Sequence, residues 1–145
     1  MKKLIIIDLN RTLYDPNTGA LVEGASALLS DLSVEGNTLV LMSRIEPGRG
    51  DIIKELGIEK YFAEMRFVNS KSAEEFIALA KKYDAKDVYI IGDYMYDEIR
   101  EGNKAGFKTI QVLEHAIADL NPESDLDVPW REARTIRHVR ELINS

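Results

Sequence analysis

Several polar residues in this chain have types and placements that would let them do chemistry together. Asp8, Asn10 and Thr12 stand at and just past the end of the apolar run KLIIID, and Ser43 ends TLVLMS. Lys71 follows EMRFVN, while Asp93 and then Asp97 follow DVYIIG. Three carboxylates gathered in one place resist ionising side by side, because each charge makes the next more costly. A hard divalent cation resolves that conflict, and Mg²⁺ suits a few carboxylates together with water and a substrate phosphate. Lys71 and the Ser43 hydroxyl then offer donors to anionic substrate oxygens. A cation, a lysine, a hydroxyl and one carboxylate free to attack form a phosphoryl-transfer site in outline, with Asp8 as nucleophile and an aspartyl phosphate as intermediate. Each residue alone has an ordinary explanation, since an Asp ending a strand often caps a loop and most lysines are solvated. Their shared position at the ends of apolar runs carries the reading.

The elements that must position them alternate along the chain. Strands are expected at 3–8, 38–43, 64–69, 87–92 and 108–113, and helices at 23–32, 50–57, 72–83, 96–106 and 131–143. The 72–83 helix is the best marked: Ser72 and Glu75 have capping-box spacing, and Phe76, Ile77, Ala80 and Tyr83 recur at three- and four-residue intervals. Strands alternating with helices imply an α/β fold of three layers, a mainly parallel five-stranded sheet covered on both faces. In such sheets the site lies outside the carboxyl ends of the strands, which is where Asp8, Ser43 and Asp93 fall. Asp97 lies four residues after Asp93, in the first turn of the 96–106 helix, and that spacing lets both carboxylates point toward one small volume above the sheet.

The bulk properties fit one domain spanning residues 1–145. The chain is 45% hydrophobic, carries a formal charge of −6 and contains no cysteine. Disulfides, thiol catalysis and cysteine-held metals are thereby excluded. The acidic balance argues against general nucleic-acid binding, which wants a basic face. No stretch approaches the roughly 18–20 apolar residues of a membrane span. Lys2-Lys3 and the few apolar residues after them are too short for a signal peptide, so the expectation is a cytoplasmic protein. Arg131, Arg134, Arg137, His138 and Arg140 read as a solvated helix face, or else as a contact for an anionic partner or a second subunit. His115 reads as a loop residue and Trp130 as an anchor for the last helix.

With these motifs in place, the chain resembles the haloacid dehalogenase superfamily from about residue 3 to 113. DLNRTLYD is similar to the first motif of that family, an Asp-x-Asp-x-Thr signature, and LVLMSR to the second. Lys71 matches the third motif, and IIGDYMYDEIREGNKAGFKTIQV the fourth, the most specific stretch of the chain. The resemblance implies a Rossmann-like core, with Asp8 as nucleophile and Mg²⁺ ligand. The main-chain carbonyl of Asn10, Asp93 and Asp97 would be further ligands, Asp97 directly or through water. Ser43 and Lys71 would hold the phosphoryl group, and Thr12 would brace the first loop.

Asn10 is the departure. In phosphatases of the family this position is a second aspartate, which protonates the leaving group and later activates water. An amide cannot carry that proton. Losing a general acid or base costs about 10² to 10⁴ in rate, so the expectation is an impaired phosphatase. Asn10 is an engineered trap, a natural feature of a chain that binds a phosphorylated ligand without turning it over, or a loss covered by another group such as Asp15.

The intervals between the motifs leave no room for an inserted cap domain. An open site suits a macromolecular phosphate ester, or a small one enclosed by a neighbouring subunit. The stretch 14–22 has the turn signals of a flap. Two functions compete with the phosphatase. One is a non-catalytic phosphate-binding or regulatory module on the same fold. The other is a receiver-like signalling domain, disfavoured because Lys71 precedes Asp93.

Overall fold

The computed structural model describes residues 3–145; Met1 and Lys2, and with them part of the leader reading, lie outside the described residues. The chain runs β1 (Leu4–Ile7), a hairpin of β2 (Tyr14–Asp15) and β3 (Ala20–Leu21), α1 (Ala25–Val34), β4 (Thr38–Arg44), α2 (Arg49–Leu56) and β5 (Glu64–Val68). Then come α3 (Ala73–Lys82), β6 (Val88–Gly92), a π turn (Met95–Ile99) continuing into α4 (Arg100–Lys104), β7 (Lys108–Val112), β8 (Arg131–Ala133) and α5 (Val139–Ile143). β2 and β3 pair only with each other; the remaining strands form one sheet in the order β5-β4-β1-β6-β7-β8, every neighbouring pair parallel.

Every residue of β1 and of β6 is buried, as expected for inner strands of a sheet covered on both sides. Alternate side chains serve opposite layers. Ile5, Ile7, Leu39, Leu41 and Ile91 join Leu29 and Leu32 of α1, Ile53 of α2 and Val139 of α5. Leu4, Ile6, Val40, Met42 and Ile90 pack with Phe76, Leu79 and Ala80 of α3. The capping signal at α3 is realised, the Ser72 hydroxyl accepting the backbone N–H of Glu75 at 3.3 Å. No helix among the described residues is long and apolar enough to cross a membrane.

The sheet has six strands, where five are expected from the sequence. The sixth is β8, at the start of the segment expected to be a helix over 131–143; there the helical part is a 3₁₀ turn at Ile136–His138 and α5. Ala133 is buried while Arg131 and Glu132 are exposed, and Trp130 donates its backbone N–H to the Thr109 hydroxyl at 3.0 Å. Charged residues on an outermost strand are a common device against edge-to-edge pairing, so the basic run that resembles a helix face is in part a guarded edge. Residues 13–42 and 44–70 hold only the hairpin, α1, β4, α2, a 3₁₀ turn and β5, with no cap domain.

Register puts the strand ends level. Ile7 pairs with Leu41 on one side and Ile91 on the other, so Asp8, Ser43 and Asp93 emerge along one rim. β1 and β6 flank the point where the chain reverses its direction across the sheet, the place where open α/β sheets leave a crevice.

Candidate active site

Asp8 continues the ladder by one residue, its backbone N–H donating to the Ile91 carbonyl at 2.9 Å. The chain then turns tightly, Leu13 and Tyr14 both donating to the Leu9 carbonyl at 2.9 Å. Arg11 sits at φ 63, a left-handed conformation that is uncommon for a residue with a Cβ. Thr12 is fully buried, with its hydroxyl 3.5 Å from Asp8 Oδ2 and 3.4 Å from Asp93 Oδ1. It carries one proton, so it can donate to only one of them at a time. Opposite, Gln111 fixes Asp93 by donating to its backbone carbonyl at 3.1 Å.

Lys71 precedes the Ser72 cap of α3 and is buried. Its ammonium donates to Asp8 Oδ1 at 2.7 Å and also pairs with Glu98. Ser43 is buried, and its hydroxyl makes one long bond, 3.4 Å to the Arg44 carbonyl, which leaves it free to turn toward a ligand. Asp8, Asn10, Ser43, Lys71, Asp93 and Asp97 all line a single cleft of about 260 Å³. The structure therefore brings together every site residue expected from the sequence. Asp15 does not line it; its carboxylate accepts the backbone N–H of Asn17 at 2.9 Å within the flap.

Asp97 and its neighbour divide the work differently from the expectation. Asp97 Oδ2 is held by Arg44 through Nε at 3.3 Å and Nη2 at 3.2 Å. The residue that meets Asp8 and Asp93 is Glu98, and carboxylate oxygens of these three all lie within 4.8 Å of one another. The cause is the π turn at Met95–Ile99: its wider ring takes an extra residue per turn, so the count that places Asp97 in a regular helix delivers Glu98. Gly92 makes the space. A Cβ there would lie 2.7 Å from Glu98 Cγ and 2.8 Å from Cδ.

Three carboxylates now face one ammonium. Burial pushes the Asp93 carboxyl up to about 8, and the charges of Asp8 and Glu98 add to the push. Burial also drives Glu98 upward, to about 7, against the pull of Lys71. Burial would lower Lys71, but the charges of Asp8 and Glu98 outweigh it and hold the ammonium protonated. One oxygen of Glu98, Oε2, is buried without a hydrogen-bond partner. An under-neutralised set of hard oxygen donors with an unpartnered carboxylate oxygen fits a hard divalent cation.

Glu98 is the site residue that sequence reasoning missed. Its signals were a second acid beside Asp97 and a glycine, Gly92, closing β6. Arg11, Arg44 and Arg49 also line the cleft, and at least Arg49 looks in sequence like any solvated helix residue. His115 lies off the cleft beside Glu114. Trp130 packs edge-on against Tyr89 of β6, ring centres 5.9 Å apart, and is partly buried against the core cluster that includes Val139 and Ile143 of α5.

No family model matches the chain. It is 30% identical over 96 residues to a glyceraldehyde 3-phosphate phosphatase of Methanopyrus kandleri, a match covering 61% of this chain and 40% of that protein's length. Among solved structures, a haloacid dehalogenase-like family hydrolase from Xanthomonas campestris superposes with a TM-score of 0.78 at 10% identity, over 99% of this chain and 96% of that one. A D,D-heptose 1.7-bisphosphate phosphatase from B. bronchiseptica, solved with magnesium and phosphate, gives a TM-score of 0.75 at 15% identity, over 99% and 98% of the two chains.

Proposed function

We propose that this chain is a magnesium-dependent phosphatase core of the haloacid dehalogenase superfamily, acting through Asp8 and slowed by the amide at Asn10. The observation that carries the reading is the Lys71–Asp8 pair at 2.7 Å inside the Asp93–Glu98 carboxylate cluster. The names of the similar proteins support a phosphate ester as substrate, and the modest cleft favours a small one.

Lys71 aims Asp8, because its ammonium anchors Oδ1 while Oδ2 makes a long contact to Thr12. An Asp8 oxygen attacks phosphorus, the phosphorus–ester oxygen bond breaks, and the leaving alkoxide must take a proton. Ser43 and Lys71 donate to the equatorial phosphoryl oxygens as charge gathers there. Water then attacks the phosphorus of the aspartyl phosphate, releasing inorganic phosphate and restoring Asp8. Both steps need a proton carrier close to the reacting oxygens, and Asn10 is not one. Magnesium, held by Asp8, Asp93, the Asn10 carbonyl and the acidic groups of the π turn, would supply the positive charge that the three carboxylates and the phosphate require. Of those two acids Glu98, gathered with Asp8 and Asp93, would be the one to hold the ion, while Asp97 is tied to Arg44.

The amide favours a second reading, a module that binds a phosphorylated ligand without hydrolysing it. Comparing this chain with Asn10→Asp on an aryl phosphate, with and without Mg²⁺, separates the two. A large gain in the variant supports the phosphatase, whereas binding without turnover in both chains supports the module.

A further inference from the structure

Arg49 is the least explained cation of the cleft. It is the first residue of α2, 6% exposed, and it lines the same cleft as Asp8, Ser43 and Lys71. Among the described residues its one side-chain hydrogen bond goes from Nη2 to Glu46, and Nε is buried with no partner. Glu46 is itself a wall of the cleft, with a side chain 59% exposed. A buried guanidinium with an unmatched donor, tied to an exposed surface carboxylate, is a poor structural ion pair. It is well suited to an anion that arrives from outside. Arguments from charge run the same way. Lys71 is committed to Asp8 and Glu98, whereas the half-exposed Arg44 answers Asp97 and Arg49 answers Glu46. Arg11, also in the wall, forms no ion pair among the described residues. Arg49 and Arg11 thus stand in the cleft wall apart from Lys71 and Ser43, the groups that would hold a phosphoryl group at Asp8.

We propose that Arg49, with Arg44 on the same wall, receives a second anionic group, a carboxylate or a phosphate, on a small phosphate ester whose first phosphate lies at Asp8. Glu46 occupies the guanidinium until that group displaces it. The inference rests on the phosphate site proposed above and narrows its substrates to esters with two anionic ends. A planar fork suits both carboxylate and phosphate, because paired N–H donors match paired oxygens.

Calorimetric titration of the intact chain in Mg²⁺ tests it. Inorganic phosphate is titrated first, followed by propyl phosphate, phosphooxypropionate and propanediol bisphosphate, which share a three-carbon body and differ at the far end. The expected result is that at least one two-anion compound binds about tenfold or more tightly than propyl phosphate, and the tighter of the two names the group. Arg49→Met should reduce that ratio to about twofold or less, and Glu46→Gln should increase it by freeing the guanidinium. Equal binding of the three esters, with inorganic phosphate bound, overturns the second subsite and leaves the phosphatase reading standing. A ratio that survives Arg49→Met overturns it as well. If Arg49→Met does not fold, an unchanged ratio in Glu46→Gln does the same. Failure of inorganic phosphate to bind overturns both readings together.

Discussion

Lys71 and Asp8 are 63 positions apart, and the ammonium of one stands 2.7 Å from a carboxylate oxygen of the other, both buried. The same ammonium reaches Glu98. One cation therefore holds an anion from the end of β1 and another from the π turn after β6, and the Asp93 carboxylate is left without a counter-charge of its own. Removing one partner of such a buried set leaves uncompensated charge, at a cost of about 3–5 kcal/mol. We expect Lys71→Met to lose at least about 3 kcal/mol in urea unfolding with chelator present. Added Mg²⁺ should restore more stability to the variant than it adds to the parent. Equal Mg²⁺ increments in the two proteins would show that Mg²⁺ does not take over the neutralising role of Lys71.

Gly92 and Glu98 form a second pair that can be tested. The Cβ of Gly92→Ala would meet the Glu98 side chain at 2.7 Å, and Glu98 is buried with little room to retreat. Overpacking of this kind costs about 1–3 kcal/mol. Shortening the acid removes the two closest contacts and leaves only its Cβ, at 3.1 Å, so the Gly92→Ala, Glu98→Ala double variant should be more stable than the sum of the single changes by about 1 kcal/mol or more. Strict additivity, measured by thermal or urea unfolding, would mean that Glu98 does not occupy the space left by the glycine.

Away from the cleft, Glu64 on β5 sets an acid-side limit on stability. Burial works against its charge, but hydrogen bonds from Lys82, Tyr83 and Arg66 prevail and hold the carboxyl down at about 2, below its usual 4.5. A depressed carboxyl contributes stability above the unfolded value, and loses it as pH falls through the folded value. The window is therefore pH 4.5 down to 2. Allowing for solvent screening at a side chain 20% exposed, the contribution is about 1–2 kcal/mol. Glu64→Gln should lose that amount at pH 7 and show a flatter stability profile between pH 4.5 and 2. An unchanged profile would assign the acid transition to other carboxylates.

Much of this was legible in the sequence because the signals were local and redundant. The isoleucines of β1 are apolar on both faces, which only an inner strand of a covered sheet requires, and the run ends at Asp8, so strand and site residue are fixed together. Ser72 and Glu75 mark the start of α3 and hence place Lys71. The misses come from geometry that spacing does not encode. A regular helix after Asp93 selects Asp97; one extra residue in the π turn selects Glu98 instead. β8 is three residues long and finds its place by pairing with β7, while its charges mimic a helix face. Arg49 becomes notable only when the fold buries it without a partner for Nε.

In the proposed function, an otherwise complete phosphoryl-transfer site lacks only a proton carrier at position 10. The most direct measurement is Mg²⁺-dependent hydrolysis of an aryl phosphate by this chain and by its Asn10→Asp variant, side by side. A gain of about a hundredfold or more is expected in the variant, abolished by chelator and by Lys71→Met. Absence of turnover in both chains, with Mg²⁺ and phosphate still bound, would contradict it and leave a phosphate-binding module in its place.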